Sequence, residues 1–188
     1  VKAIPATSIY VIDNASSDET VSIVRNEYSE VNLIVNERNM GFGVAHNQAI
    51  RVVNSEYHII VNPDIQLTDG SVDILTDYMD ANEEVVCVTP RVLNDDGTEQ
   101  KLPKYYPSIK FIVSGKLEKK YAFAKKWREQ YTRSNEALDD IIPIQNCTGC
   151  FMFTRTSALK KVGGFDERYF LHFEDIDLSR MLGKIGMK

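Results

Sequence analysis

The sequence has 188 residues, of which 43% are hydrophobic and 26% are charged, values typical of one globular domain with a buried core. Its longest apolar runs fall short of the roughly 18 residues that a membrane-spanning helix needs. The net charge of −5 combines +8 on residues 101–133 with −13 on the rest, and because the basic residues are confined to one stretch, nucleic-acid binding is not expected.

The first 90 residues alternate short apolar runs with segments of helical periodicity. Ser16 and Glu19 have capping-box spacing for the first helix, and Thr68 or Asp69 can cap the third. The alternation predicts an α/β protein with a doubly wound, mainly parallel sheet. Its expected strands are 8–12, 31–35, 57–61 and 85–88.

The alternation ends after residue 90. Asn94 to Gly97 carries a hairpin signal between 91–93 and 98–100. A basic, aromatic helix is then expected, which either covers the core with a solvated basic face or lies on an anionic membrane surface. It carries Leu117, Tyr121, Ala124, Trp127 and Tyr131. The remaining expected elements are a polar loop at 134–140, a strand at 144–154 and a helix at 156–162 that ends at Gly163 and Gly164.

Three cysteines are too few for a secreted disulfide framework, and a reducing compartment is the simpler inference. Cys147 and Cys150 have C-x-x-C spacing, but no second pair completes a zinc site. The pair also lacks the strand-to-helix setting of a redox motif. We interpret Thr148 and Gly149 as small residues within a strand, where a ligand can approach the backbone.

Three carboxylates, those of Glu174, Asp175 and Asp177, lie within four positions. Leu178, which follows them, begins an apolar pattern with helical spacing, so these acids fall in the first turn of a helix. Acids at this position complement the helix dipole without any further role. Their crowding is also suited to a site that binds a cation or moves a proton.

Polar side chains follow three successive predicted strands. Ligands of doubly wound sheets bind outside the carboxyl ends of the strands, so we expect these groups at a single edge. A divalent cation fits between one such carboxylate and a diphosphate, because Mg²⁺ takes one or two carboxylates together with phosphate oxygens. The groups are Asp13 and Asn14, then Arg38 and Asn39, then Asn62 and Asp64.

Several common motifs do not fit. Gly41 and Gly43 approach the dinucleotide fingerprint, but His46 stands in place of the third glycine. The segment 13–24 has Asp18 where a calcium-binding EF-hand loop needs glycine. No phosphate-binding P-loop is present. The segment 175–179 has the spacing of an aspartyl-phosphatase signature, but it opens a helix instead of following a strand.

Four blocks, in order along the chain, together resemble the family 2 glycosyltransferases, especially their rhamnosyltransferase-like branch. They are VIDNASSD at 11–18, NMGFGVAHN at 39–47, VNPD at 61–64 and GGFDERYFLHFEDIDL at 163–178. The resemblance implies a GT-A fold and inverting transfer of a sugar from a nucleotide-diphosphate donor, dTDP-rhamnose or a UDP-sugar, to a hydroxyl of a glycan or lipid-linked acceptor.

The resemblance also implies roles for individual residues. Asp175 would be the catalytic base and Glu174 would orient the base or the acceptor. Asp64 would hold Mg²⁺ or Mn²⁺; it matches the last acid of the family's D-x-D motif, whose first acid is replaced by Asn62. The donor would be bound by Asp13, Asn14, Arg38, Asn39, Gly41, Asn47, Asn62, Asp64 and Gly149.

We expect a single domain over 1–188, truncated at both ends, because the family's first strand would precede Val1 and a metal-holding histidine would follow Lys188. Residues 1–90 would form the nucleotide-sugar half and residues 91–188 the acceptor half, with a helical insertion at about 105–140. The expected location is the cytoplasmic side of a membrane, with peripheral membrane contact. Two alternatives stay open: a sugar nucleotidyltransferase of similar fold, and a nucleotide-sugar-binding module without turnover.

Overall fold

A computed structural model describes residues 8–134, 136 and 140–185. The expected loop at 134–140 therefore lies partly outside the described residues. The strands are β1 (Tyr10–Asp13), β2 (Asn32–Val35), β3 (Tyr57–Val61), β4 (Cys87–Val88) and β5 (Phe151–Arg155). The helices are α1 (Thr20–Glu27), α2 (Phe42–Val52), α3 (Ser71–Ala81), α4 (Ile109–Leu117), α5 (Ala122–Thr132), α6 (Thr156–Val162) and α7 (Glu174–Lys184).

The first βαβ unit forms as predicted. β1 pairs in parallel with β2, with Tyr10 opposite Asn32 and Asp13 opposite Val35. The Asn36 amide donates to the Asp13 carbonyl at 2.9 Å, so the pairing continues to the carboxyl ends of both strands. Polar loops that follow these strands therefore begin side by side.

The second sheet corrects the expected strand pairing. β5 lies between β3 and β4 and runs antiparallel to both, with Val61 opposite Phe151 and Val88 opposite Phe153. The βα alternation predicted that β3 and β4 would belong to a parallel series, but a strand 90 residues downstream of β3 takes the place between them. The result is a mixed α/β architecture with one parallel and two antiparallel strand pairs in the described part of the chain.

The core lies on both faces of this second sheet. β5 is its central strand, and residues 151–154 are buried. On one face Met152 and Ile60 pack with buried residues of α2, α6 and α7. On the other face Phe151 and Phe153 enclose Met79 of α3. Each face of β5 is therefore covered by helices, which holds the start of α7 next to the sheet.

Both predicted helix caps are wrong. α1 begins at Thr20 after Glu19, without a side-chain cap; instead the Asp18 carboxylate accepts hydrogen bonds from the Thr20 amide and hydroxyl, at 3.1 and 2.5 Å. α3 begins after Gly70, which has φ of 77°, and the Thr68 hydroxyl bonds the Ser71 hydroxyl and not a helical amide. In both cases a local turn satisfies the polar groups before the helix starts.

The region after β4 differs from the prediction in two further respects. The hairpin at 94–97 is present as one antiparallel bridge between Leu93 and Glu99. The basic helix is divided into α4 and α5 by a turn at 118–120, and the two helices pack against each other. The expected strand at 144–154 is reduced to β5, so the C-x-x-C segment at 147–150 is a loop. In the described ranges no helix is long and apolar enough to cross a membrane.

Candidate active site

Asp13 ends β1 and is 4% exposed. Its Oδ2 accepts a hydrogen bond from the Ser16 amide at 3.2 Å. Its Oδ1 is buried and has no hydrogen-bond partner in the part of the chain that the structure describes. Buried carboxylate oxygens are normally paired, so this one is available to a donor that a ligand brings.

Asn14 organises the loop that follows β2. Its Oδ1 accepts from the Asn36 side-chain amide at 3.0 Å and from the Met40 backbone amide at 3.2 Å. Its Nδ2 donates to the Gly41 carbonyl at 3.1 Å. Asn39 supports the same loop, since its Oδ1 accepts from the Gly41 amide at 2.9 Å. These two amides were predicted to bind the donor, and both shape the loop that leads to α2.

Gly41 brings the start of α2 against the segment that precedes α7. It has φ of 86°, and a Cβ placed on it would lie 2.4 Å from the carbonyl oxygen of Phe170. That carbonyl accepts a hydrogen bond from the Phe42 amide at 3.2 Å. Only glycine allows this conformation and this distance, so Gly41 brings loops 129 residues apart in sequence, at 41 and 170, into contact.

Gly149 and Asp175 meet directly. The Gly149 amide donates to Asp175 Oδ2 at 3.1 Å, and Asp175 Oδ1 accepts from the Ile176 amide at 2.8 Å. A Cβ placed on Gly149 would lie 3.1 Å from the Phe42 ring and 3.7 Å from Asp175 Cβ. Helix α2, the loop 147–150 and the first turn of α7 therefore converge at this point.

The end of β3 joins the same cluster, because the Asn62 amide donates to the Cys150 carbonyl at 3.0 Å. Asp64 lies in the exposed turn two residues further on. The described residues contain no group of three or more histidine, cysteine or acidic side chains that could hold a metal. A single exposed carboxylate fits Mg²⁺ or Mn²⁺ only where phosphate oxygens complete the coordination.

Glu174 is 6% exposed, and its Oε2 is buried without a hydrogen-bond partner within the described residues. The two residues before it, His172 and Phe173, have φ of 70° and 71°. Such conformations cost of the order of 1–3 kcal/mol per residue and persist where the surroundings impose them. The acids thus lie in the first turn of α7, as the sequence predicted, behind a strained turn.

Asn47 is buried, and its side chain forms hydrogen bonds with the loop that precedes α7. Its Nδ2 donates to the Phe165 carbonyl at 2.8 Å and to Glu167 at 3.0 Å, while its Oδ1 accepts from the Phe165 amide at 2.8 Å. A Cβ on Gly164 would overlap its Oδ1 at 2.3 Å. The contacts shown are those of a residue that positions the loop before α7. Arg38, by contrast, is exposed and contacts Met40.

Sequence reasoning overlooked three contributors. The first is Phe42, whose ring lies against Gly149. The second is Ser179, which joins α7 to the loop 147–150. Its hydroxyl accepts a hydrogen bond from the Cys147 amide at 3.0 Å and donates one to the Asp175 carbonyl at 2.8 Å. Asn146 is 4% exposed with its Oδ1 unpartnered among the described residues. The glycines on both sides of Phe42 were a usable signal; nothing local singled out Ser179 or Asn146.

Two groups near the site have perturbed proton affinities. Burial, with a smaller effect from the charge of His58, lowers the pKa of His46 to about 4, and its ring contacts those of Phe42 and Phe165. The hydrogen bond with Cys87, whose sulfur is 3.3 Å away, and burial hold the pKa of Cys147 well above the ordinary thiol value. An un-ionised buried thiol is a poor nucleophile, so Cys147 itself is not suited to nucleophilic chemistry.

Residues 3–163 match the family model described as Glycosyl transferase family 2. The chain is 29% identical over 194 residues to the N-acetylglucosaminyl-diphospho-decaprenol L-rhamnosyltransferase of Mycobacterium tuberculosis H37Rv, covering 95% of this chain and 62% of the relative. It is 26% identical over 158 residues to the rhamnosyltransferase WbbL of Escherichia coli K12, covering 79% of this chain and 56% of the relative. The chain therefore spans about three fifths of these curated relatives.

Two solved structures share the fold. A mannosyltransferase, PcManGT, from Pyrobaculum calidifontis in complex with GDP-Man and Mn²⁺ superposes with a TM-score of 0.59 at 16% identity, over 96% of this chain and 44% of that one. TarS residues 1–349 from S. aureus, in complex with UDP, give a TM-score of 0.59 at 19% identity, over 94% and 46%. The predicted GT-A fold is confirmed, and the chain belongs to glycosyl transferase family 2, where it is similar to the rhamnosyltransferases.

Proposed function

We propose that this chain contains the donor-binding and catalytic groups of an inverting glycosyltransferase. It moves a sugar, rhamnose in view of its relatives, from a nucleotide-diphosphate donor to a hydroxyl of a glycan or a lipid-linked saccharide. The name of the mycobacterial relative, which specifies N-acetylglucosaminyl-diphospho-decaprenol and L-rhamnose, supports this choice of acceptor class and sugar. TarS with UDP and PcManGT with GDP-Man support a nucleotide-containing donor.

The contact between Gly149 and Asp175 is the observation that carries the proposal. Two backbone amides, those of Gly149 and Ile176, hold the two oxygens of this carboxylate in a fixed direction. A carboxylate offers about four acceptor positions, so others are left for an acceptor hydroxyl. A half-buried, oriented carboxylate next to small residues has the geometry that a general base needs.

The reaction is one displacement. Asp175 accepts the proton of the acceptor hydroxyl as its oxygen bonds to the anomeric carbon. The bond from that carbon to the phosphate oxygen breaks, and its electron pair leaves with the nucleotide diphosphate. Attack from the face opposite the leaving group inverts the configuration, through a transition state of oxocarbenium character. Glu174, whose Oε2 has no hydrogen-bond partner among the described residues, orients the acceptor or the base.

The donor lies along the strand ends. Asp13 offers its Oδ1, which no described residue bonds, to an N–H of the nucleotide base, and Arg38 offers an exposed guanidinium to the phosphates. Asp64 would hold Mg²⁺ or Mn²⁺ together with the diphosphate. Such a cation would neutralise the charge that grows on the departing diphosphate. Mn²⁺ in the PcManGT structure supports a divalent ion.

Replacing the base tests the mechanism. In the full-length protein, Asp175→Asn keeps an oxygen acceptor for the Gly149 amide but cannot take a proton. We expect sugar transfer to fall by at least about 10²-fold, the usual range for loss of a general base. Asp73→Asn is the matched control, because Asp73 is also a first-turn acid, on α3. Transfer is measured as nucleotide diphosphate released in the presence and absence of acceptor.

Donor binding is measured on the same variants by thermal shift with UDP-, GDP- and dTDP-sugars, with and without Mg²⁺ or Mn²⁺. A donor at about 100 times its Kd stabilises the protein by roughly 2.7 kcal/mol. Asp175→Asn should keep this stabilisation, whereas Asp64→Asn should lose its metal-dependent part. Transfer at the wild-type rate by Asp175→Asn would refute the assignment of the base. Donor binding by the wild-type protein without any transfer would favour the binding-module alternative.

A further inference from the structure

Helix α4 has an apolar stripe that faces outward. Ile109 is 82% exposed, Ile112 57% and Val113 40%. With the exposed Lys116 they occupy positions i, i+3, i+4 and i+7, which lie on one side of a helix. Three adjacent branched aliphatic side chains in solvent form a contiguous apolar patch, and patches of this kind mark interaction surfaces.

The other side of α4 is fixed by α5, so the stripe cannot rotate inward. The rings of Phe111 and Tyr131 lie 5.1 Å apart, and Ser114 is fully buried in this contact region. The Lys110 ammonium group donates to the Gln130 side chain at 2.8 Å. The stripe is therefore a surface of the folded protein.

The surroundings of the stripe are strongly basic. Both glutamates in the segment 101–133 lie close to a basic side chain of the same hairpin, Glu118 to Arg128 at 3.8 Å and Glu129 to Lys125 at 4.0 Å. The segment has a net charge of +8, against −13 on the rest of the chain, and two basic residues at its ends, Lys101 and Arg133, also pair with the acids Glu99 and Glu136 outside it. The lysines exposed on α4, α5 and their connecting turn are Lys110, Lys116, Lys119, Lys120, Lys125 and Lys126.

We propose that the α4 face binds an anionic lipid bilayer, with Ile109, Ile112 and Val113 at the level of the acyl chains and the lysines among the headgroups. Helices that lie in a membrane interface combine these two features, an apolar face and a lysine-rich surround. The acidic remainder of the chain is repelled by the same surface, so one orientation is favoured. The proposal rests on this surface alone and is independent of the catalytic assignments.

Vesicle co-sedimentation of the full-length protein tests the proposal. Vesicles of phosphatidylcholine mixed with phosphatidylglycerol should bind the protein, and those of phosphatidylcholine alone should bind it much less. Replacing Lys116 and Lys119 with glutamine should lower the partition coefficient by roughly 30-fold, since each lysine near an anionic surface contributes about 1 kcal/mol. Lys160→Gln with Lys161→Gln, on exposed α6 positions, removes the same charge elsewhere and should have little effect.

The contribution of the apolar stripe to membrane binding is tested with a second matched pair of double variants. Ile109→Ser with Ile112→Ser should abolish the binding that survives high salt, because burial of apolar surface is not screened by ions. Ile23→Ser with Ile74→Ser changes two exposed isoleucines on other helices and should leave that binding intact. The proposal is overturned if phosphatidylglycerol does not increase vesicle binding. That result is expected if another protein segment covers the stripe. It is equally overturned if either control pair loses as much binding as its α4 counterpart.

Discussion

The contact between Gly41 and Phe170 supports a quantitative prediction about Gly41→Ala. Gly41 has φ of 86° and ψ of 166°, a combination that is almost restricted to glycine and costs other residues of the order of 1–3 kcal/mol. The new methyl group would also lie 2.4 Å from the Phe170 carbonyl oxygen, so the loop before α7 must move. That movement breaks the 3.2 Å hydrogen bond from the Phe42 amide, a further loss of about 1 kcal/mol.

The expected loss of stability is therefore about 3 kcal/mol. In a chain of 188 residues, 1 kcal/mol corresponds to about 2–4 °C in Tm, so Gly41→Ala should lower Tm by about 6–12 °C. Gly70→Ala is the matched control, because Gly70 has φ of 77° but nothing within 4 Å of an added Cβ. It should cost about 1 kcal/mol, or about 2–4 °C.

The loss of stability is measured by thermal unfolding followed by circular dichroism. The effect on catalysis is measured as the rate of sugar transfer. Gly41→Ala should also reduce transfer, because a shifted Phe170 displaces the strained turn that leads to Glu174 and Asp175. Gly70→Ala lies outside this region and should leave transfer near the wild-type rate. Equal Tm values for the two variants would show that close approach at Gly41 does not hold the two loops together, and the reasoning would fail.

Three further predictions concern buried and half-buried polar groups. Asn47→Ala leaves the amide and carbonyl of Phe165 buried without their partner and should cost about 2–4 kcal/mol in urea unfolding; a loss under about 1 kcal/mol would contradict this. Arg155→Met removes guanidinium donors to the carbonyls of Met79, Asn82 and Val85, at the end of α3 and in the connection to β4, and should cost about 2–3 kcal/mol in the same assay. Arg155→Lys should recover only part of this loss, and full recovery would contradict the prediction. His46 and His58 both have a folded pKa lowered to about 4 by burial. The unfolded chain takes up their protons first, so stability is complete above about pH 7 and falls between about pH 6.5 and 4, by about 2 kcal/mol per ring at about pH 5. His58→Val should flatten this fall; an unchanged pH profile would refute the assignment.

Local patterns predicted the first three strands and the helices α1, α2, α3, α6 and α7. The alternation of apolar runs predicted β1, α1, β2, α2, β3 and α3 in order, because periodicity of 2 or 3.6 residues is a property of consecutive side chains. The acids at 174, 175 and 177 were likewise placed in the first turn of the final helix by the spacing of the apolar residues behind them. The family was recognised from four short blocks, which need only their order and content.

Local sequence patterns could not predict the contacts between distant segments. No local rule reports that β5 separates β3 from β4, because strand pairing depends on which buried faces meet after about 90 residues of intervening chain. The expected caps at Ser16 and Thr68 failed for a related reason: a turn formed by neighbouring side chains satisfied the backbone first.

The role of Asn47 shows the same division within the site. The sequence marked it as polar and placed it on α2, but its hydrogen bonds go to Phe165 and Glu167, more than 110 residues away. The contacts of Gly41 with Phe170 and of Gly149 with Asp175 are also non-local. The sequence by itself thus determined which chemical groups the protein carries and on which elements. Only the packed structure decided which of them touch, since a buried polar group takes its partner from whatever the fold brings beside it.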